Sequence, residues 1–304
     1  MGHVERAYLT GTSMIKKIFK SIYTAVPFKR EIFSLLKLFY NPSHSVYKHL
    51  YFKGKFKVKV DNNFFYINHY GYQIENDIFW KGLEGAREST SLSLWVKLCK
   101  RANVILDIGS NTGVYSLTAK AANPKAAVYG FDPIDRVFEK FRDNCKLNNF
   151  DIRPFKFAIS NYDGRAVVYD VTTEHTYGVT VNVNRQKPET PVVEREIETK
   201  RLSTFIEDEK ISNIDLMKVD VETHEPEVLL GMGGYLDTMK PTMIMEILTD
   251  EVGERVQRIL NGKGYLYFDI DENRPPRQVA GISKSGSFNY LICLEPVAKE
   301  LSLI

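Results

Sequence analysis

The chain has 304 residues, enough for one large domain or two small ones, and its 43% apolar and 26% charged residues exclude a disordered or low-complexity protein. Three cysteines (Cys99, Cys145 and Cys293), with no CxxC and no closely spaced His/Cys pair, exclude a disulfide-stapled scaffold and a structural zinc site. The net charge of +3 hides an asymmetry: residues 14–60 hold eleven Lys/Arg against Glu31 alone, which leaves residues 61–304 at −7, so an anionic partner is expected near the N-terminus.

Met14 followed by Ile15-Lys16-Lys17 reads as a natural start, which makes residues 1–13 an upstream extension without structure. Ile15, Ile18, Phe19 and Ile22 recur at helical spacing, and Phe33, Leu36 and Leu38 follow Pro27. One or two amphipathic helices over 14–40 are expected, with lysines on the other face. They suit either an anionic membrane surface or a cap packed on the main domain. No apolar run is long enough to span a bilayer, and the lysine-studded N-terminus lacks the apolar core of a signal peptide. The expected location is therefore the cytoplasm, with peripheral contact at the inner membrane surface. Phe56, Val58 and Val60 alternate with lysines, Asp61-Asn62-Asn63 turns the chain, and Phe64–Ile67 resumes, which predicts a hairpin. Residues 14–88 thus read as basic helices and a hairpin cap, and 89–304 as the main domain.

A helix is expected at Ser89–Arg101, then a strand at Val104–Ile108, a helix at Val114–Ala122, a strand at Ala127–Phe131, a helix at Asp135–Asn148 and a strand at Phe155–Ile159. This alternation predicts an α/β domain with a parallel sheet. Ala166–Asp170 reads as an extra strand and 172–193 as a polar loop. Leu202–Ile206 opens a helix or turn, and Ile214–Val219 is a buried strand. Pro226–Gly231 is helical, Met243–Ile247 a strand, Glu251–Leu260 a helix and Tyr265–Asp269 a strand. Asp271–Ser287 is a second polar loop before the last strand, Tyr290–Leu294.

The loop Asp107-Ile108-Gly109-Ser110-Asn111-Thr112-Gly113 joins a strand to a helix, where glycine lets the backbone turn sharply and approach a ligand. Asp132 ends the next strand, the position that hydrogen-bonds a ribose diol in doubly wound folds. The loop lacks the GxGxxG spacing that a pyrophosphate needs, and it opens with an acid. A cationic nucleoside without phosphate fits it, and S-adenosylmethionine is such a molecule. A second segment, Lys218 to Glu227, ends the Ile214–Val219 strand. If the strand continues, Asp220, Glu222 and His224 point to one side with Glu246 alongside. A hydroxyl acceptor needs a base or a metal to take its proton. His224 is the base candidate, and Asp220, Glu222 and Glu246, with His224, could hold a divalent metal. Glu225 is expected at the helix cap with Pro226 at the first helical position.

DIGSNTG, GFDP, LMKVDVETHEPEVLLGM and MEI, in that order, resemble the FkbM family of S-adenosylmethionine-dependent methyltransferases over about Phe79 to Leu294. The resemblance implies a Rossmann-like, seven-stranded class I methyltransferase fold and O-methylation of a hydroxyl on a sugar, glycan or related small molecule. It implies that Asp107, Gly109, Ser110, Asn111 and Gly113 hold the methionine end of the cofactor. Asp132 would bind the ribose, Ala158 and Ile159 would border the adenine, and Glu88 matches an acidic position of the family. Asp132 stands where glutamate is more usual, and Thr223-His224 replaces Gly-Ala between two acids. A basic N-terminus would suit an acceptor linked to a lipid or nucleotide. The alternatives are a nucleic-acid methyltransferase, disfavoured by the acidic body, and a non-catalytic nucleotide-binding-fold module.

Overall fold

The computed structural model describes residues 26–171, 179–180 and 192–304. The expected helix over 14–25, the extension 1–13 and most of the 172–193 loop lie outside them. Helix α1 (Lys29–Phe39) starts just beyond Pro27, and the single turn α2 (His44–Tyr47) follows. The expected hairpin is present as β1 (Gly54–Val60) and β2 (Asn63–His69), paired from Gly54↔His69 to Val60↔Asn63. Helix α3 (Gln73–Lys81) and α4 (Ser89–Cys99) then lead into the alternating region.

That region runs β3 (Val104–Ile108), α5 (Val114–Ala122), β4 (Ala127–Phe131), α6 (Asp135–Asn148) and β5 (Arg153–Phe155). It continues with β6 (Ala158–Ser160), β7 (Gly164–Val171), β8 (Val179–Thr180), β9 (Val192–Arg201), α7 (Leu202–Asp208) and β10 (Leu216–Val219). Then come α8 (Glu225–Gly231), α9 (Tyr235–Met239), β11 (Thr242–Glu246), α10 (Asp250–Leu260), β12 (Tyr265–Asp269), β13 (Arg277–Val279), β14 (Asn289–Leu294) and α11 (Glu295–Glu300).

The central sheet has the order β13-β12-β14-β11-β10-β3-β4-β5. Strands β11, β10, β3, β4 and β5 are parallel, and β14 enters antiparallel between β11 and β12. This is the class I methyltransferase order with one short edge strand, β13, added. Alternate residues divide the core between the two faces, as a sheet covered on both sides requires. Ile105, Leu216, Ile244 and Leu291 join one cluster with α4, α5 and α6. Leu106, Met217, Met243, Met245 and Ile292 join the other with α7, α8 and α10.

Two expectations are corrected here. The strand expected at Phe155–Ile159 is split: β5 stays in the central sheet, while β6 joins a separate sheet, β6-β9-β7-β8. Residues 192–193 end the expected polar loop and no element is expected over 194–201, yet β9 spans them all, pairing with β7 over Val192–Thr199 and with β6 over Thr199–Arg201. The hairpin and α3 share one core cluster with the sheet, through Phe56, Val58, Phe65, Phe79 and Trp80.

Candidate functional site

A cavity of about 360 Å³ opens at the carboxyl ends of β3, β4, β10 and β11, the edge at which open α/β sheets bind ligands. Gly109, Ser110, Asn111, Asp132, Ala158, Ile159, Glu88, Asp220, Glu222, His224 and Glu246 all line it. Asp107 and Gly113 do not. The Asp107 carboxylate is buried and accepts hydrogen bonds from the Ser116 backbone N–H (2.9 Å) and hydroxyl (2.6 Å), so it fastens the start of α5 rather than facing a ligand. Burial pushes its pKa up to about 6. Gly113, at φ 89°, is needed because a Cβ there would strike the Phe141 ring. Gly109, at φ 85°, sits against the Asp220 carbonyl, which lets the two motif loops cross.

The middle of the cavity is polar. Asp132 accepts from the backbone N–H groups of Asn111 (3.1 Å) and Ile134 (3.0 Å). Burial raises its pKa to about 7 against those hydrogen bonds. Asn111, in the left-handed region at φ 51°, carries a buried side-chain oxygen with no hydrogen-bond partner. Ser110 is spent within the fold: its hydroxyl donates to the Asp107 carbonyl (2.6 Å) and accepts from Phe131 N–H (2.8 Å), and its own N–H donates to the Phe131 carbonyl (2.9 Å). One end is apolar: Ile134, Val137, Val168 and Ile197 form a small cluster with Ala158 and Ala166 packed on it. Val168 and Ile197 come from β7 and β9, so the second sheet walls this end.

The other end is acidic around a buried cation. Lys218 is 1% exposed and donates to Asp220 Oδ2 (3.1 Å). Burial pulls its pKa down, but Asp220, Glu88 and Glu246 together carry it above the ordinary lysine value. Glu88 accepts from the Tyr115 hydroxyl (2.7 Å), and burial raises its pKa. Glu246 is pushed up to about 10, first by burial and then by the charge of Asp220. A carboxyl held neutral beside a lysine–aspartate pair is ready to ionise when further positive charge arrives.

The strand expected to continue past Val219 stops there. Glu222 and Thr223 take positive φ (54° and 83°), so alternation does not align Asp220, Glu222 and His224; the turn itself brings them to the cavity. Glu225, expected as the cap, is the first residue of α8, with His224 at the cap position. Its buried carboxylate accepts from Val221 and Thr223 N–H (both 3.2 Å) and so holds the turn. Burial raises its pKa to about 7.

His224 Nε2 faces the buried Ser160 hydroxyl at 3.0 Å, and Nδ1 lies 3.7 Å from Glu227, which Arg255 pairs from α10. Burial lowers the His224 pKa, which keeps the imidazole neutral near pH 7. Among the described residues, no three His, Cys, Asp or Glu side chains are grouped to hold a metal ion. The candidate ligands Asp220, Glu222 and Glu246 therefore form no ready ligand set, and Lys218 already balances the charge of Asp220. Sequence reasoning gave no role to Lys218, Tyr115, Ser160 or the β9 wall. Only a lysine inside a fully buried strand was there to be noticed.

The donor set fits S-adenosylmethionine. The cavity's acidic end suits a cationic amino group and sulfonium, Asp132 and the unpartnered Asn111 oxygen could accept from a ribose diol, and its apolar end suits adenine. The Methyltransferase FkbM domain matches residues 107–267. The chain is 26% identical over 178 residues to Methyltransferase 1 of Beauveria bassiana, spanning 53% of this chain and 71% of that protein. It is 25% identical over 168 residues to the hexuronic acid methyltransferase AglP of Haloferax volcanii, spanning 55% of this chain and 65% of that protein. It is 29% identical over 154 residues to the 31-O-demethyl-FK506 methyltransferase FkbM of Streptomyces tacrolimicus, spanning 43% of this chain and 59% of that protein. With more than half of its length matched by that domain, and with the class I sheet order and a cavity shaped and charged for the cofactor, the chain belongs to the FkbM family of S-adenosylmethionine-dependent methyltransferases.

Proposed function

We propose that the chain methylates a hydroxyl of a sugar, glycan or related small molecule, with His224 taking the hydroxyl proton. The observation that carries this reading is that Asp220, Glu222, His224 and Glu246 all line the same cavity. The hexuronic acid methyltransferase among the relatives supports a sugar acceptor. When bound, S-adenosylmethionine supplies an electrophilic methyl group on a cationic sulfur. The protein aligns the acceptor oxygen in line with that methyl and removes the proton. Glu88, Asp220 and Glu246 favour the cationic end of the cofactor, and Asp132 holds its ribose.

His224 is suited to the base role because it is neutral and half-buried, with the Arg255-paired Glu227 near Nδ1 to favour the imidazolium once the proton is taken. Its Nε2 faces Ser160, whose hydroxyl the acceptor would replace as partner or use as a relay. Calorimetric titration with S-adenosylhomocysteine tests the cofactor half of this reading. Micromolar binding is expected. Asp132→Ala should weaken it tenfold or more, on the order of 1.4 kcal/mol, and unchanged affinity would remove the ribose assignment. Methyl transfer to a panel of free, lipid-linked and nucleotide-linked sugars tests the acceptor half. Transfer confined to non-carbohydrate hydroxyls would sink it.

A further inference from the structure

Helix α1 leaves apolar side chains in solvent. Phe28, just before it, and Ile32, Leu35 and Phe39 recur at intervals of four, three and four, which places them in one stripe at 100° per residue. They are 73%, 48%, 61% and 83% exposed, and Leu38 beside them is 74% exposed. The opposite side of the helix is the one that meets the body. Phe33 is buried with its ring 5.6 Å from that of Trp80, Leu36 packs on the same core, and Lys37 donates to the Phe79 carbonyl. The stripe is therefore a second apolar face, separate from the one that holds the helix in place. Folded chains seldom leave so many large apolar side chains together in water unless something covers them.

The surroundings of the stripe say what that something is. Residues 26–60 carry eight Lys/Arg against Glu31, and Glu31 is itself paired with Arg30. Arg30 Nη1 donates to the Lys55 carbonyl (3.4 Å), which ties α1 to the hairpin. Along β1, Lys55, Lys57 and Lys59 alternate with buried Phe56, Val58 and Val60, so all three lysines are presented outward. Exposed Phe64, on β2, lies under Lys57 Nζ at 3.7 Å from its ring centre. Outward apolar side chains on α1 and outward lysines on the hairpin tied to it, with one neutralised acid, have the chemistry of the boundary between acyl chains and anionic headgroups. A protein partner would have to supply both an apolar groove and a broad acidic rim.

We propose that α1 and the hairpin form a docking face for an anionic lipid bilayer, with Phe28, Ile32, Leu35, Leu38 and Phe39 entering the acyl boundary and Lys55, Lys57 and Lys59 reading the headgroups. The face lies outside the set of residues that line the cavity, so binding at the two places can be measured separately.

The test is flotation of the full chain with vesicles of phosphatidylcholine alone or mixed with phosphatidylglycerol. The chain should float with the mixed vesicles at low salt and be released by high salt, because the lysine contribution is screened. Leu35→Asp with Phe39→Asp should cut partitioning at least tenfold, and Lys55→Glu with Lys57→Glu should remove the preference for phosphatidylglycerol. Both variants should keep the wild-type melting temperature and S-adenosylhomocysteine affinity. Three results would overturn the proposal. The first is no flotation, or equal flotation of wild type and Leu35→Asp/Phe39→Asp. The second is a concentration-dependent dimer that those substitutions abolish, which would assign the stripe to a second copy. The third is a clear fall in melting temperature in that variant, which would mean that the chain itself covers the stripe.

Discussion

The identity of each residue in the site matters through its surroundings more than through its type. Asp107 and Asp132 are both acids at the ends of neighbouring strands. One is spent on Ser116 and the other faces the cavity. His224 differs from a solvent histidine because burial lowers its pKa and Glu227 stands at Nδ1. His224→Ala should leave S-adenosylhomocysteine affinity unchanged and reduce turnover at least a hundredfold, within the range of general-base catalysis. A base must be unprotonated, so activity in the wild type should fall as pH drops through a value below 6.5, and a rate that never falls on acidification while the chain stays folded would remove the assignment. Glu246 makes a separate prediction. Its pKa of about 10 lies far above that of an unfolded glutamate, so the folded chain keeps a proton that the unfolded chain loses between those values. Stability then falls as pH rises through that window. Glu246→Gln removes the titration and should raise the melting temperature at pH 8.5 clearly more than at pH 5. Equal gains at both would show that the carboxyl is not held neutral.

Elements succeed or fail as readable units according to how local their determinants are. Val104–Ile108 and Ala127–Phe131 are short apolar runs between turn residues, and both are strands at the expected bounds. β9 is different. Its Glu194-Arg195-Glu196-Ile197-Glu198-Thr199-Lys200 stretch carries no apolar run, and it is a strand because β7 pairs with it and the cavity takes up Ile197 and Thr199. The turn after β10 was unreadable for a related reason. Glu222 and Thr223 adopt positive φ against their own preference, held by the buried Glu225 carboxylate. The start of α5 offers a test at this scale. Gly113→Ala must hold a left-handed backbone and push its Cβ into Phe141, which together should cost about 2–4 kcal/mol. Denaturant titration would measure it, and a loss below about 0.5 kcal/mol would show that α5 can shift away.

At the scale of the molecule, charge and packing are arranged separately. The basic N-terminal region is not a detached head, because Phe33, Phe56, Phe79 and Trp80 belong to the cluster that also holds Ile105 and Leu291 of the central sheet. Its lysines remain outside, which gives the folded chain a basic, partly apolar surface joined rigidly to an acidic body. The second sheet walls the apolar end of the cavity with residues distant in sequence from the loops at the strand ends. Among the described residues no helix is long and apolar enough to cross a membrane.

The sequence by itself determined the alternation of strands and helices, the hairpin, the family and the polar residues at the strand ends that line the cavity. Those properties are written in periodicity, glycine placement and short motifs, all local in the chain. Only the tertiary structure decided which acids face the cavity, which are consumed by backbone N–H groups, and which are held neutral. It also decided that Lys218 is their counter-ion and that α1 keeps a second apolar face in solvent. These depend on burial and on partners far apart in sequence, Ser160 with His224 and Arg30 with Lys55 among them. Desolvation and long-range pairing leave no mark on the spacing of residues.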